Sequence, residues 1–350
     1  MIHREKLIPA LIRELELQKE YLEEEIVHTV YFGGGTPSML TGTELSGIIS
    51  TIQSLFRLDP NAEITLEANP DDLTADNLRE FKHSGINRLS IGIQSFEDND
   101  LRFLNRTHSA RQAYGSVKRS QDAGFSNLSI DLIYGIPILD STSWELNLLK
   151  AVELEVPHIS AYALTVEEKT PLAAFIKSGK MPDVDDALQA QHFDILTSFL
   201  EACGYLQYEI SNFCKPGMFS RHNTAYWKST PYLGIGPSAH SFNRISRQWN
   251  VSNIGKYIQS IQENKVPFEK EILTTAQRFN EYLMTSLRTM WGCDLGHIRK
   301  NFSPQWADQV AEEAGPFISR GFAEIKGDLL VLTAPGKFHA DGIAAEFFRL

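Results

Sequence analysis

The chain has 350 residues, of which 42% are apolar and 22% charged, a composition typical of a globular protein with one large domain or two. Its 33 basic residues against 44 acidic ones give a net charge of −11, which argues against a nucleic-acid binder. Cys203, Cys214 and Cys293 are too widely spaced for a zinc ribbon, and no stretch resembles a signal peptide or a membrane span. We therefore expect a cytoplasmic protein, with a peripheral membrane contact left open.

The first 212 residues alternate short apolar stretches with helical patterns. Strands are predicted, in chain order, at 26–32, 62–68, 87–93, 127–133, 158–164 and 205–211. Helices are predicted at 4–24, 43–57, 74–84, 110–123, 142–154 and 186–203. This alternation predicts an α/β fold with a mainly parallel sheet, and strands rich in Ile, Leu and Val are typical of a sheet covered on both faces.

Polar residues cluster where the predicted strands end. In a β/α barrel the active site gathers at the carboxyl ends of the strands. Six strands predict a partial, TIM-like (β/α)6 barrel that is open on one side. The polar residues at these ends are Gly33–Thr36, Glu67, Asn69, Gln94, Ser95, Asp131 and Thr165.

The composition changes after this barrel domain, predicted over residues 1–212. Residues 213–269 are rich in Gly, Pro, His and aromatic residues without regular periodicity, and predict an irregular connecting segment. Helical patterns return over 270–350, with a hairpin-like stretch around Lys326-Gly327-Asp328, and predict a helical, winged-helix-like domain. Its acidic residues favour a structural lid over DNA binding.

The stretch YFGGGTPS places Gly33, Gly34 and Gly35 directly after the first predicted strand. A tight turn needs one or two glycines. Three of them followed by Thr36 and Pro37 favour a backbone that a ligand approaches closely, with N–H groups able to bind an anion or carboxylate. The stretch lacks the Gly-Lys-Ser/Thr ending of a phosphate-binding P-loop.

Four further side chains are candidates for ligand binding. Glu67 suits two ribose hydroxyls, but also a helix cap or a surface acid. Gln94, Arg106 and Asp131 are stronger candidates as a group than singly, because they lie at or after the ends of successive predicted strands. Arg106 by itself also suits a surface ion pair.

A histidine joins an amide, a tyrosine and a tryptophan in RHNTAYW, residues 221–227. A neutral imidazole can ligate iron, and aromatic rings can pack on a flat macrocycle. A single histidine is more often structural, however, and aromatic residues often fill a core. His240 lies in the glycine-rich stretch GIGPSAHS, which is most simply interpreted as a loop.

Several of these stretches resemble the radical S-adenosylmethionine proteins of the HemN/HemW group, the oxygen-independent coproporphyrinogen III oxidase and its heme-chaperone relative. They are YFGGGTPS, EANP, GIQSF, LNRTH, SIDLIYGIP and GIGPSAHS, in this order. RHNTAYW is similar to the His-Asn-x-x-Tyr-Trp signature of the heme-chaperone (HemW) branch. The resemblance covers essentially the whole chain and implies a six-stranded partial barrel with a C-terminal helical domain.

The resemblance also implies cofactors and the residues that hold them. The glycine run would receive the amino group of S-adenosylmethionine, and His222 would interact with heme. Tyr226 and Trp227 would flank the heme macrocycle, and His240 is a candidate second ligand. The positions that match the family's S-adenosylmethionine contacts are Gly34, Gly35, Thr36, Glu67, Gln94, Arg106, Asp131 and Ala163.

One departure from the family concerns its [4Fe–4S] cluster. The family binds it with Cys-x-x-x-Cys-x-x-Cys after the first barrel strand, and the three cysteines here do not have that spacing. Residues 26–32 would then match the family's second strand. Truncation and natural loss of the cluster are both explanations, and we favour truncation because the S-adenosylmethionine positions are intact. Genomic sequence upstream of Met1 lacking an in-frame cysteine motif would reject truncation.

The resemblance therefore implies a HemW-like heme chaperone that delivers heme to respiratory heme proteins, here without its cluster-binding segment. The alternative is the oxidase, which would be inactive without cluster cysteines. A third interpretation is a scaffold that binds neither ligand productively. If the first barrel strand is missing, the strand at 28–32 becomes an exposed edge, so we expect homodimer contacts or local disorder there.

Overall fold

The chain forms two compact units. The computed structural model describes residues 4–23 and 25–349. The terminal unit contains both ends of the chain, and the central unit contains the segments between them. The terminal unit comprises Met1–Val30, Gly42–Glu63 and Arg221–Leu350, and the central unit comprises Tyr31–Thr41 and Ile64–Ser220.

The largest sheet of the described residues has seven strands in the order β1-β2-β3-β4-β5-β7-β6. Strands β2 to β5 are parallel neighbours, while β7 is antiparallel to both β5 and β6. The bounds are β1 Val27–Phe32, β2 Leu58–Ala68, β3 Arg88–Gln94, β4 Asn127–Tyr134, β5 His158–Ala163, β6 Leu206–Glu209 and β7 Asn212–Cys214. The first five predicted strands are confirmed, and β1 lies at one end of this sheet.

The sixth predicted strand, 205–211, was wrong in one respect, because the chain turns back within it. β6 ends at Glu209, and β7 lies between β6 and β5. The side chain of Asn212 fixes this turn, since its amide donates to the Glu209 carboxylate and its oxygen accepts from the Ser160 hydroxyl at 2.7 Å. Such side-chain bonds leave no trace in the hydrophobic pattern of the sequence.

The six predicted helices are confirmed, and the ends of all but the first lie within two residues of the prediction. The predicted helix over 4–24 ends at Leu17, and residue 24 lies outside the described residues. Helices preceding the C-terminal region are α1 Arg4–Leu17, α2 Gly42–Leu55, α3 Ala75–His83, α4 Asp98–Phe103, α5 Ala110–Asp122, α6 Ser141–Glu153, α7 Pro171–Lys177, α8 Asp186–Ala202, α9 Arg221–Trp227 and α10 Ile254–Gln262. Short 3₁₀ turns occupy Pro37–Met39 and Pro70–Asp72.

The central strands have one apolar and one polar face. Side chains of one face form the fully buried core, among them Leu89, Ile91, Ile130, Leu132 and Ile159. The residues that alternate with them are polar, namely Arg88, Ser90, Ser129, Asp131, His158 and Ser160. Strand side chains point alternately to opposite faces, so every second residue of β3, β4 and β5 supplies a polar group to the same face.

The segment predicted to be irregular, residues 213–269, contains regular structure instead. It holds α9, α10 and much of a three-stranded antiparallel sheet in the order β10-β9-β8. These strands are β8 His240–Phe242, β9 Ser246–Asn250 and β10 Phe268–Ile272. The buried side chains of β9 are polar. The amide of Gln248 donates to Gln18, directly after α1, and the amide of Asn250 donates to Glu14 of α1. Hydrophobic periodicity therefore missed this sheet.

The C-terminal region combines helices with a small antiparallel sheet in the order β11-β13-β12, as the winged-helix-like prediction requires. The predicted hairpin is confirmed, with Lys326 opposite Leu329 and Gly327 in the left-handed region at φ 64°. The elements are α11 Thr275–Leu287, β11 Cys293–Asp294, α12 Leu295–Asn301, α13 Pro304–Glu313, α14 Gly315–Ser319, β12 Ala323–Lys326, β13 Leu329–Leu332, α15 Ala334–Lys337 and α16 Ala340–Glu346. Among the described residues, no helix has the length and apolar character needed to cross a membrane.

Candidate functional site

The glycine run opens a backbone loop in the central unit. Gly34 and Gly35 have φ of 75° and 65°, a conformation that favours glycine. A Cβ at either position would meet no atom within 4 Å, so both face open space. Gly33 differs, because a Cβ there would lie 2.6 Å from the Tyr31 ring. Tight packing thus explains the first glycine, and the left-handed backbone explains the next two, whose surroundings are open.

The carboxylate of Glu67, at the end of β2, holds this loop. It accepts hydrogen bonds from the Tyr31 hydroxyl at 2.7 Å and from the Gly34 N–H at 3.1 Å. Burial, together with the negative charge of Glu67, raises the pKa of Tyr31. Sequence analysis singled out Glu67 but missed Tyr31. Its one signal was its position two residues before Gly33, which places it on a strand next to the loop.

Gln94 ends β3 in an unusual backbone conformation. Its φ is 69°, which is costly for a residue other than glycine. The pairing of β3 with β4 shifts register between Ile91 and Gln94, as at a β-bulge, and bulges redirect side chains. Although the residue is 9% exposed, its amide makes no hydrogen bond to any residue that the structure describes. A side chain redirected by a left-handed backbone at a strand end suits a ligand contact.

Asp131 lies on β4, with the Ser90 hydroxyl donating to it at 3.4 Å. Burial, and then the negative charge of Glu67, raises the pKa of Asp131 to about 7, while hydrogen bonds from Ser160 and Ser90 oppose the shift. The two carboxylates therefore repel each other across the polar face of the sheet. A cationic ligand group between them would relieve that repulsion.

Arg106 follows α4 in the chain and interacts electrostatically with Asp131, while burial lowers its pKa. Within residues 4–23 and 25–349 it forms no side-chain hydrogen bond or ion pair, so the surface-ion-pair interpretation is not what the structure shows. Ala163 ends β5, in register with Tyr134 of β4. The structure thus places most of the predicted S-adenosylmethionine residues at strand ends or in the following loops of the central unit, including Thr36 beside Gly35. Asp131 is the exception, because it lies inside β4, which continues to Tyr134.

Helix α8 fixes two of these strand ends, a role that sequence analysis missed. The Gly135 N–H, directly after β4, donates to Nδ1 of His192 at 3.1 Å. The side-chain amide of Gln189 donates to the Leu164 carbonyl, directly after β5, at 2.8 Å. Histidine and glutamine inside a helical pattern carry no sequence signal for such contacts.

The cysteines are poor candidates for cluster ligands. Burial raises the pKa of Cys214 to about 11 and that of Cys293 to about 12, which favours the thiol over the metal-binding thiolate. In the part of the chain that the structure describes, no group of three or more His, Cys, Asp or Glu residues could hold a metal ion. The described residues therefore do not fit a [4Fe–4S] cluster.

His222 lies in the terminal unit, on helix α9. Its Nδ1 is 3.0 Å from the Thr29 hydroxyl, and its ring meets that of Tyr226 edge-on, with centroids 4.9 Å apart. Burial lowers the pKa of His222 to about 4, so the imidazole is neutral at pH 7. Trp227 faces the Arg288 guanidinium at 5.4 Å. A neutral, half-buried imidazole beside aromatic rings is suited to iron ligation.

His240 begins β8 and is exposed. Its ring stacks on Trp249 of β9, with centroids 6.1 Å apart. The loop before it is fixed by the backbone, because a Cβ at Gly234 would lie 2.1 Å from the His240 carbonyl oxygen. The glycine in this stretch thus permits close backbone approach.

The family model described as "Radical SAM superfamily" matches residues 6–146, a range that contains the glycine run and strands β1 to β4. The heme chaperone HemW of Bacillus subtilis (strain 168) is 36% identical over 321 residues, 91% of this chain and 85% of its own. HemW of Mycobacterium tuberculosis (strain CDC 1551 / Oshkosh) is 33% identical over 335 residues, 95% of this chain and 84% of its own.

A solved structure agrees in fold. Coproporphyrinogen III oxidase (HemN) from Escherichia coli has a TM-score of 0.83 at 23% identity, and the match covers 99% of this chain and 83% of that one. The chain belongs to the HemN/HemW family of radical S-adenosylmethionine proteins. Its fold is accordingly the partial, TIM-like barrel that the sequence predicted. Membership implies S-adenosylmethionine and an iron–sulfur cluster as the family's cofactors.

Proposed function

We propose that this protein is a HemW-like heme chaperone, which binds heme and delivers it to a heme-requiring respiratory protein in the cytoplasm or at the membrane surface. The observation that carries the proposal is the similarity to proteins named heme chaperones, at 33–36% identity over more than four fifths of their length. The acceptor protein and a homodimer formed through the β1 edge remain predictions.

Heme would be bound through His222. Because burial keeps its imidazole neutral, the ring needs no deprotonation to coordinate iron near pH 7. Tyr226, 42% exposed, packs against Tyr232 with ring centroids 4.6 Å apart. That arrangement leaves an aromatic surface next to the imidazole on which a porphyrin can pack.

Replacing His222 with alanine is expected to weaken heme binding by at least about tenfold and to change the Soret band, since the iron loses its ligand. Heme titration followed by absorbance measures both effects. His83→Ala, an exposed histidine of α3, is the matched control and should bind as the wild type does. Unchanged affinity and spectrum in His222→Ala would reject the assignment, and His240→Ala tests the second ligand separately.

S-adenosylmethionine would bind in the central unit. The open backbone of Gly34, Gly35 and Thr36 would hold its amino acid end, and Glu67 and Asp131 would face its cationic groups. Gln94, Arg106 and Ala163 complete the predicted contacts. Support comes from the left-handed glycines, the left-handed backbone of Gln94 and the repulsion between the carboxylates. Bound S-adenosylmethionine supplies a sulfonium centre that can be cleaved by one-electron reduction.

The alternative function is that of an oxygen-independent coproporphyrinogen III oxidase. The likeness to HemN, at 23% identity, concerns the fold, whereas the two relatives named above are heme chaperones. A chaperone is expected to convert no coproporphyrinogen III to protoporphyrinogen IX under reducing, anaerobic conditions with S-adenosylmethionine. Detection of that product by chromatography would favour the oxidase.

A further inference from the structure

Helix α9, which carries His222, is tied to two side chains that neither the family motifs nor the proposed contacts include. We propose that Thr29 and Glu63 are positioning residues, which fix the orientation of the His222 imidazole for heme iron. This inference rests on the proposed heme function. All the residues concerned belong to the terminal unit.

Thr29 acts on the imidazole itself. Its side chain, on β1, is half-buried, and its Oγ1 lies 3.0 Å from Nδ1 of His222. A neutral imidazole has one N–H, and a threonine hydroxyl can accept or donate. If Nδ1–H donates to Thr29, Nε2 presents a lone pair to iron. If the hydroxyl donates instead, Nε2 carries the proton and cannot coordinate. Iron binding therefore selects the tautomer in which Thr29 accepts.

Glu63 acts on the helix backbone. It is 3% exposed, and its carboxylate accepts hydrogen bonds from the backbone N–H groups of His222 at 3.0 Å and Arg221 at 3.3 Å. The first N–H groups of a helix have no partner inside it, and a negative charge is favourable there. Because α9 has seven residues, it is too short to be stable by itself.

Strand β2, which carries Glu63, makes further contacts with the start of α9. The Arg221 guanidinium donates to the Asn61 carbonyl at 2.6 Å and lies 3.6 Å from the Asp59 carboxylate. One turn after His222, the Tyr226 ring contacts the imidazole edge-on. The ring is therefore held by Thr29 at Nδ1, by Tyr226 at its side, and through its backbone by Glu63. Such preorganisation lowers the cost of ordering the ligand when iron binds.

The Thr29→Val variant, which is nearly isosteric, tests this inference. Losing the Nδ1 partner is expected to weaken heme binding by about tenfold and to shift the reduction potential of the bound heme. Thr29→Ser keeps a hydroxyl and should restore most of both values. Thr51→Val, on α2 of the same unit, is the matched control and should leave both unchanged.

A second measurement needs no heme. Long-range ¹H–¹⁵N spectra of histidine-labelled protein report the hydrogen bonding of the His222 ring nitrogens. The Nδ1 chemical shift should change in Thr29→Val and return towards the wild-type value in Thr29→Ser. Glu63→Gln keeps the shape but removes the charge, and is expected to weaken heme binding several-fold. Far-UV circular dichroism confirms that each variant is folded.

The outcomes separate this inference from the proposed function. The positioning role would be overturned if a folded Thr29→Val kept the wild-type heme affinity and reduction potential while His222→Ala lost heme binding. That result would leave the heme function intact. Undiminished heme binding in His222→Ala would reject the heme site itself. Loss in Thr29→Val that Thr29→Ser restores would support the positioning role.

Discussion

Replacing Glu14 with alanine is expected to lower the free energy of unfolding by about 3–5 kcal/mol, because it removes a buried carboxylate on which four donors converge. Glu14 is fully buried on α1. It accepts from the Tyr257 hydroxyl at 2.5 Å, the Asn250 amide at 2.6 Å, the Gly236 N–H at 2.8 Å and the Gln18 amide at 3.1 Å. Each donor would be left buried without this acceptor.

Urea unfolding followed by far-UV circular dichroism measures this effect. Glu16→Ala is the matched control: Glu16 lies on the same helix but is exposed and paired with Arg13, so its loss should cost less than about 1 kcal/mol. Glu14→Gln should fall between the two, since it keeps one acceptor oxygen but turns an amide group towards the donors. Equal stability of Glu14→Ala and Glu16→Ala would contradict this account of α1.

S-adenosylmethionine is expected to bind about tenfold more tightly at pH 8 than at pH 6, because the site gains a negative charge as Asp131 ionises. The pKa of Asp131 is about 7, raised by burial and then by Glu67. Below that pH the carboxyl is neutral and attracts a cation less. Titration calorimetry over this range, in buffers of different ionisation enthalpy, should also detect proton release on binding.

Asp131→Asn should bind S-adenosylmethionine weakly and lose this pH dependence, whereas Asp122→Asn, at the end of α5, should behave as the wild type does.

The same ionisation affects the stability of the protein, and the sign of that effect follows from the raised pKa of Asp131. Stability contributed by the protonated group is present below about pH 4 and is lost as pH rises through about 7. Without ligand, the free energy of unfolding of Asp131→Asn is therefore expected to be about 1–2 kcal/mol higher than that of the wild type at about pH 8. A pH-independent affinity of the wild type would contradict a role for Asp131.

Much of the central unit could be predicted from the sequence. The Ile-, Leu- and Val-rich runs located β1 to β5 within a few residues, and the helical patterns between them indicated parallel pairing. Parallel strands bring their carboxyl ends to one edge, which is why the strand pattern was enough to group Glu67 and Gln94. Asp131 lies inside β4 and joins this group because its neighbour Leu132 pairs with Gln94. Their roles in binding remain predictions.

The terminal unit was much harder to predict. The sheet formed by β8, β9 and β10 buries one apolar side chain, Phe242. Its other buried side chains carry amide or hydroxyl groups, such as those of Gln248, Asn250 and Ser246. Glu14, which is 236 residues from Asn250 in sequence, accepts the hydrogen bond of its amide. A hydrophobic pattern cannot reveal a strand whose burial depends on a distant polar partner.

The sequence by itself determined the family, the order of strands and helices, and the residues at the strand ends, because local periodicity and short motifs encode them. Only the tertiary structure decided the left-handed backbone of Gln94 and the hydrogen bond from the Gly34 N–H to Glu67. It also decided the contacts of His222 with Thr29 and Glu63. These contacts join residues 33 to 193 positions apart, and hydrogen bonds over such separations form only when the chain folds.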